Sequence, residues 1–146
     1  MSDQDRNKAL LRRLCEEFWS KGDLEAIPEL LAQDFFDHRS LLGTPPGREG
    51  LATLETTRRT AFPVMRKTCE DLIAKGDQIL CRLTMHGTPM NSLLSVPPTG
   101  RRVTMSGIDI VRAAGGKIAG FCYGEHLRQL GAVPGFAADY AGREER

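Results

Sequence analysis

Long hydrophobic runs are missing from this 146-residue chain. Its apolar stretches last only a few residues, so no segment is expected to span a bilayer as a helix. Met1 to Lys8 is polar with no apolar core behind it, and no export signal is expected. Neither charge dominates: 20 Lys and Arg stand against 19 Asp and Glu, a net charge of +1. That balance excludes the bulk electrostatics of a nucleic-acid or membrane-surface binder. The doublets Arg12-Arg13, Arg58-Arg59 and Arg101-Arg102 are scattered and read as solvated faces or local ion pairs. Cysteine is scarce, and Cys15, Cys69, Cys81 and Cys122 are unevenly spaced with no Cys-x-x-Cys pair. This spacing argues against a zinc site, and without an export signal no disulfide framework is expected, leaving reduced thiols in a cytoplasmic protein. No metal and no cofactor is expected.

What is present is ordinary globular material, 40% hydrophobic and 27% charged. The length suits a single domain over 1–146, with residues 1–7 as a polar extension and 132–146 as a tail. Ala9 to Lys21 repeats apolar residues at three and four positions and predicts a helix ended by Gly22. Asp23 can cap a second helix, Leu24 to Gln33, in which Pro28 is tolerable in the first turn. Asp34 to His38 reads as a short extended piece before an irregular loop, Ser40 to Gly47. A third helix is predicted from Arg48 to Ala61, stopping before Pro63. The pattern then alternates. Lys67 to Lys75 and Gln78 to Thr88 flank Gly76-Asp77, a hairpin signal. Arg102 to Arg112 and Lys117 to His126 follow a long connection, Pro89 to Arg101. Three helices before an antiparallel meander is an α+β pattern, and a twisted sheet curled over helices leaves a concave space for a small molecule.

Several strings, in order, carry a resemblance. They are Gly22-Asp23, Asp34-Phe-Phe-Asp-His38, Gly47-Arg-Glu-Gly50, Ala61-Phe-Pro63 and Asp71-Leu-Ile-Ala-Lys-Gly-Asp77. They continue with Gly87-Thr88, Pro97-Pro-Thr-Gly-Arg101, Gly107-Ile-Asp-Ile-Val-Arg112, Gly116-Lys-Ile118 and Arg128-Gln-Leu-Gly131. Together, over about residues 8 to 135, they resemble the SnoaL-like polyketide cyclase family of the NTF2-like superfamily. The resemblance implies an α+β cone with three N-terminal helices packed on a curved, mostly antiparallel sheet. It also implies metal-free acid/base chemistry in an apolar pocket: aldol ring closure, or in relatives epoxide opening or isomerisation. Two departures stand out. Gly87-Thr88 is followed by Pro89 where the family commonly has histidine. On the last strand Cys122 falls at the family's tryptophan and Tyr123 or His126 at its acidic positions, with Glu125 as the displaced alternative.

Strand parity sets the candidates. Phe121, Tyr123 and Glu125 share one side, so a cavity on that side would gain an aromatic wall, a phenol donor and a carboxylate. A bulge near the strand end would bring His126 inward instead. Asp109, between two isoleucines, either reaches a polar spot of the cavity or pairs with Arg112 or Arg82. His38 is a candidate at the pocket mouth. Glu125, Asp109, Tyr123, His126 and His38 are therefore the candidate catalytic set. Trp19, Phe18, Phe35, Met65, Met85, His86, Met105 and Phe121 are the candidate substrate-lining set. An epoxide-opening reading would need an arginine–carboxylate arrangement around a water, with Arg82 as its in-strand candidate. The expected partners are a hydrophobic oxygenated small molecule and a second copy of the chain, docked through the open face of the sheet. The contrasting expectation is a non-catalytic ligand-binding or dimerisation module.

Overall fold

The computed structural model describes residues 1–39, 44–91 and 100–128, with the backbone alone for 125–128. The first helix starts earlier than its apolar periodicity indicates. Ser2 and Asp5 form a reciprocal capping box, each side chain bonding the other's backbone N–H at 3.1 Å, and α1 runs Asp3–Arg13. The helix continues as a π-helical stretch, Leu14–Ser20, whose wider turn carries Leu14, Cys15, Phe18 and Trp19 into the core. The second expected helix is reduced to a 3₁₀ turn, Leu24–Ala26, and one α-turn, Ile27–Leu30 (α2). Strand β1 takes over at once, Leu31–Asp37. α3 spans Arg48–Ala61 as predicted.

Four more strands follow: β2 (Met65–Lys75), β3 (Gln78–Gly87), β4 (Val103–Ala114) and β5 (Lys117–Arg128). They form one sheet in the order β1-β5-β4-β3-β2, antiparallel except for the β1–β5 edge pair. Alternation decides which face is covered. Val103, Met105, Asp109, Val111 and Ala113 of β4 are buried, whereas Thr104, Ser106, Ile110 and Arg112 are half-exposed and Ile108 exposed. The buried face packs against the helices through Leu11, Leu14, Phe18, Trp19, Leu51, Leu54, Ala61 and Phe62. At about 25 cal/mol per Å² of apolar surface, this contact between the layers contributes most to holding the cone together.

β5 does not keep one phase. Its pairing with β4 slips between Ile110 and Val111, so Tyr123 opposes Ile110 while Phe121 opposes Val111. Cys122 is the inserted residue of a β-bulge. Phe121 and Gly124 consequently face inward, and Tyr123 is 43% exposed on the other side. The expected common face of Phe121 and Tyr123 is broken by this one residue.

Candidate active site

The space between α3, the π-helical stretch and the sheet holds charged side chains as well as apolar ones. Asp37, Arg39, Glu55, Arg58, Lys67 and Asp109 are all buried, Asp109 to 2% exposure. Burying a charge is costly unless it is paired; the three acids pair with Arg39 and Arg58, while Lys67 rests against an aromatic ring. Arg39 donates from Nε to Asp37 Oδ1 at 3.0 Å and from Nη2 to Asp37 Oδ2 at 3.2 Å. Its Nη1 lies 3.6 Å from Asp109 Oδ1, so one guanidinium bridges two carboxylates. The same guanidinium stacks over the Phe121 ring at 4.6 Å.

Local structure makes that bridge possible. β1 ends at Asp37, where the Arg39 N–H bonds back to Asp37 Oδ1 at 2.9 Å and the His38 N–H bonds the Phe121 carbonyl at 2.9 Å. The chain is thereby turned over β5. Gly124 leaves the room: a Cβ there would sit 2.8 Å from Arg39 Cδ and 2.9 Å from Asp109 Oδ1. Only a residue without a side chain fits beneath this ion pair.

Lys67 is the second cation. Its backbone is clamped to Ser20, whose hydroxyl accepts the Lys67 N–H at 3.0 Å and donates to its carbonyl at 3.1 Å. Its Nζ lies 4.1 Å from the centre of the Trp19 ring. Burial, followed by the positive field of Arg58, pushes this ammonium down to about 7; Asp109 and Glu55 oppose the shift and Arg39 adds to it. Lys67 thus shares one electrostatic neighbourhood with Asp109, Arg39, Arg58 and Glu55. On α3, Glu55 pairs with Arg59 at 3.0 Å and Arg58 at 3.5 Å, and Arg59 donates to the Trp19 carbonyl at 2.9 Å. Aromatic rings pack beside these groups: Phe121 against Trp19 at 5.6 Å and edge-on to Phe35 at 4.9 Å.

Among the residues singled out in sequence, Asp109, Trp19, Phe18, Phe35, Met65, Met85, Met105 and Phe121 all lie in this interior or its core. Asp109 pairs with Arg39, not with Arg112 or Arg82. Arg82 stands on the outer face, its Nη2 2.8 Å from Asp71, so the arginine–carboxylate arrangement belongs to Arg39. Tyr123 lies outside the interior. His38 is exposed, its ring stacked near Phe36 at 4.7 Å. His86 is half-buried beside Thr104, 3.2 Å from its hydroxyl, on the face away from the helices. Glu125 and His126 pair with Ile108 and Gly107, and their side chains lie outside the described residues. Residues 40–43, 92–99 and the tail 132–146 also lie outside them.

Lys67, Arg39 and Glu55 are not among the residues the sequence points to; Asp37 is marked only within the Asp34–His38 string, and Arg58 only as half of a doublet expected to be solvated or locally ion-paired. The one available signal is spacing on α3, where Glu55 stands three and four residues before Arg58 and Arg59. That pattern predicts ion pairs but gives no hint of their burial. Nothing local marks Arg39 or Lys67.

Helices over a curved, mostly antiparallel sheet, with ionisable groups on the covered face, define an α+β cone of the kind that hosts small-molecule chemistry. Residues 9–121 match the family model for SnoaL-like polyketide cyclase, and the chain belongs to that family. No curated protein matches the sequence. Among solved structures, TsrD from Streptomyces laurentii superposes with a TM-score of 0.76 at 21% identity, over 86% of this chain and 91% of that one. IdmH from Streptomyces antibioticus, a candidate polyketide cyclase, gives 0.70 at 29% identity over 82% and 91%. AclR from Streptomyces galilaeus, a candidate hydroxylase, gives 0.72 at 20% identity over 87% and 82%. Among the described residues, no helix is long and apolar enough to cross a membrane.

Proposed function

We propose that this chain is a cofactor-independent acid/base catalyst of the SnoaL-like cyclase type, acting on a hydrophobic, oxygenated intermediate such as a polyketide. The carrying observation is the Asp109–Arg39–Asp37 bridge, buried against Phe121 with Lys67 in the same neighbourhood. In an aldol ring closure, the Asp109 carboxylate takes a proton from the carbon between two carbonyls. The resulting enolate carbon attacks a second carbonyl of the same molecule, and the alkoxide formed takes the proton back. Arg39 supplies fixed positive charge where the oxyanions develop, and Lys67, pushed down to about 7, adds to it when protonated; preorganised electrostatics lowers a barrier most there. Trp19, Phe35 and Phe121 give flat walls for a polycyclic ligand. An arginine between two carboxylates suits epoxide opening equally, with one carboxylate activating water and the other protonating the epoxide oxygen. Glu125 and His126 remain part of the proposal as alternative proton carriers on β5.

A second reading, a module that binds without catalysis, draws on a specific observation. The buried acids Asp37, Glu55 and Asp109 are taken up in ion pairs with Arg39, Arg58 and Arg59, and Tyr123 faces outward. The two readings separate by turnover of a linear poly-β-carbonyl ester and of a terpenoid epoxide by wild type, Asp109→Asn and Glu125→Gln. The enzyme reading expects Asp109→Asn to lose well over tenfold, more than about 1.4 kcal/mol of barrier. Losses below tenfold in both variants would show that neither carboxylate carries the proton, and no turnover by wild type favours the module. The same reading includes a homodimer through the outer face of the sheet, supported by the exposed Ile108 and Tyr123, diagonal neighbours across β4 and β5.

A further inference from the structure

Cysteines that are remote in sequence meet in the fold. Cys15 comes from the π-helical stretch, Cys69 from β2 and Cys81 from β3, with separations of 54 and 12 residues. Their sulfurs stand 3.3 Å apart for Cys15–Cys69 and 2.9 Å for Cys69–Cys81, and all three lie within 4.8 Å of one another. The spacing that argued against a metal site is therefore no guide here. The register shows how the cluster arises: Cys69 opposes Leu83 and Cys81 opposes Leu72, beside a bulge in β2.

We propose that Cys15, Cys69 and Cys81 form a three-thiolate site for a soft d¹⁰ cation of the zinc or cadmium class. Zinc–thiolate bonds of about 2.3 Å put tetrahedral sulfurs about 3.8 Å apart, so the two short contacts open by less than about 1 Å to receive the ion. The arrangement suits an ion better than a disulfide. Cys69 and Cys81 are not directly opposed across the β2–β3 ladder, and a regular diagonal pair has α-carbons about 7–8 Å apart, longer than the usual disulfide span. Access is present as well. A groove of about 730 Å³ between the first helix and β2 is lined by Cys15 and Cys69 together with Arg12, Glu16, Arg66 and Lys67.

The electrostatics fit a resting state with one thiolate. Hydrogen bonds from the thiols of Cys15 and then Cys81 hold Cys69 well below the ordinary thiol range. The contact with Cys69 pushes Cys15 up, and contacts with Cys15 and Cys69 push Cys81 up. Coordination leaves Cys69 ionised and releases one proton each from Cys15 and Cys81 to solvent. Three thiolates and a divalent ion sum to −1, facing Arg12 and Glu16 from the first helix, Arg66 and Lys67 from β2 and Asp109 from β4. The site does not depend on the acid/base reading.

The test is titration of the reduced full-length protein with Cd(II), following the sulfur-to-cadmium charge-transfer absorbance, with Zn(II) as competitor. The expected result is saturation at one ion per chain, displacement by zinc, and at least a tenfold loss of affinity in Cys69→Ser. Cys122→Ser keeps wild-type affinity, because that thiol lies outside the cluster. Circular dichroism of Cys69→Ser and Cys69→Ala identifies which variant is folded, and thiol counting after air exposure detects a disulfide. No charge-transfer band, a band unchanged in a folded Cys69 variant, or formation of a Cys69–Cys81 disulfide without metal uptake would overturn the site.

Discussion

Replacing Lys67 by methionine keeps most of the side-chain volume against Trp19 and removes the ammonium. Burial, with Arg58 adding to it, lowers this group from an ordinary 10.5 to about 7 in the folded chain. The sign follows from linkage. Below about pH 7 both folded and unfolded chains carry the proton, and the native state bears the full penalty. Between about pH 7 and 10.5 the unfolded chain holds more protons, so stability rises with pH; above that range the penalty is gone. At about 1.4 kcal/mol per pH unit, wild type gains about 2–3 kcal/mol from pH 7 to 9 through this group alone. The Trp19 ring works in the opposite sense, since a desolvated cation–π contact favours the ammonium by about 2 kcal/mol, so the gain can be smaller. Urea denaturation of wild type and Lys67→Met at several pH values, with reductant and chelator, isolates the effect. Other titrations cancel in the difference between the two proteins. The stability advantage of Lys67→Met is expected to shrink steadily from pH 7 to 9. A difference that stays flat across that range refutes the burial argument.

Other perturbations follow from the same geometry. Gly124→Ala drives a methyl into Arg39 and Asp109 and should cost about 1–3 kcal/mol in urea denaturation. Phe121→Ala removes a ring packed against Trp19, Phe35 and Arg39 and should cost about 3–5 kcal/mol by the same measurement. Ile108→Glu puts a charge on the outer face of β4; under the dimer proposal, light scattering should report a dimer for wild type and a monomer for this variant. A wild-type monomer would remove the dimer proposal.

The fold could be read from periodicity wherever one rule governed a segment. β3 and β4 alternate without interruption, and α3 begins and ends where its spacing and Pro63 indicate. β5 could not be read that way, because the bulge at Cys122 reverses parity midway and separates Phe121 from Tyr123. The start of α1 was carried by capping at Ser2 and Asp5, a polar signal that apolar spacing overlooks. For the site, Asp109 was recognisable because a carboxylate in the middle of a strand needs a polar spot or an ion pair, although alternation alone would have turned its flanking isoleucines inward, where Ile108 is in fact exposed. Its partner was not, since Arg39 arrives from the far edge of the sheet through the β1–β5 contact. Lys67 looks like any strand lysine until Ser20 and Trp19 are folded over it. The cysteine cluster is hidden for the same reason.

The chain has a single tryptophan, Trp19, in the wall that also carries Phe121 and lies under Lys67. Its fluorescence therefore reports directly on whether the charged interior receives a ligand. Titration with a hydroxylated anthraquinone, a flat oxygenated polycycle, is expected to quench Trp19 saturably with one molecule per chain, and Asp109→Asn and Lys67→Met should each weaken the binding. Quenching that never saturates, or binding unchanged in both variants, would contradict the claim that this interior is a ligand chamber.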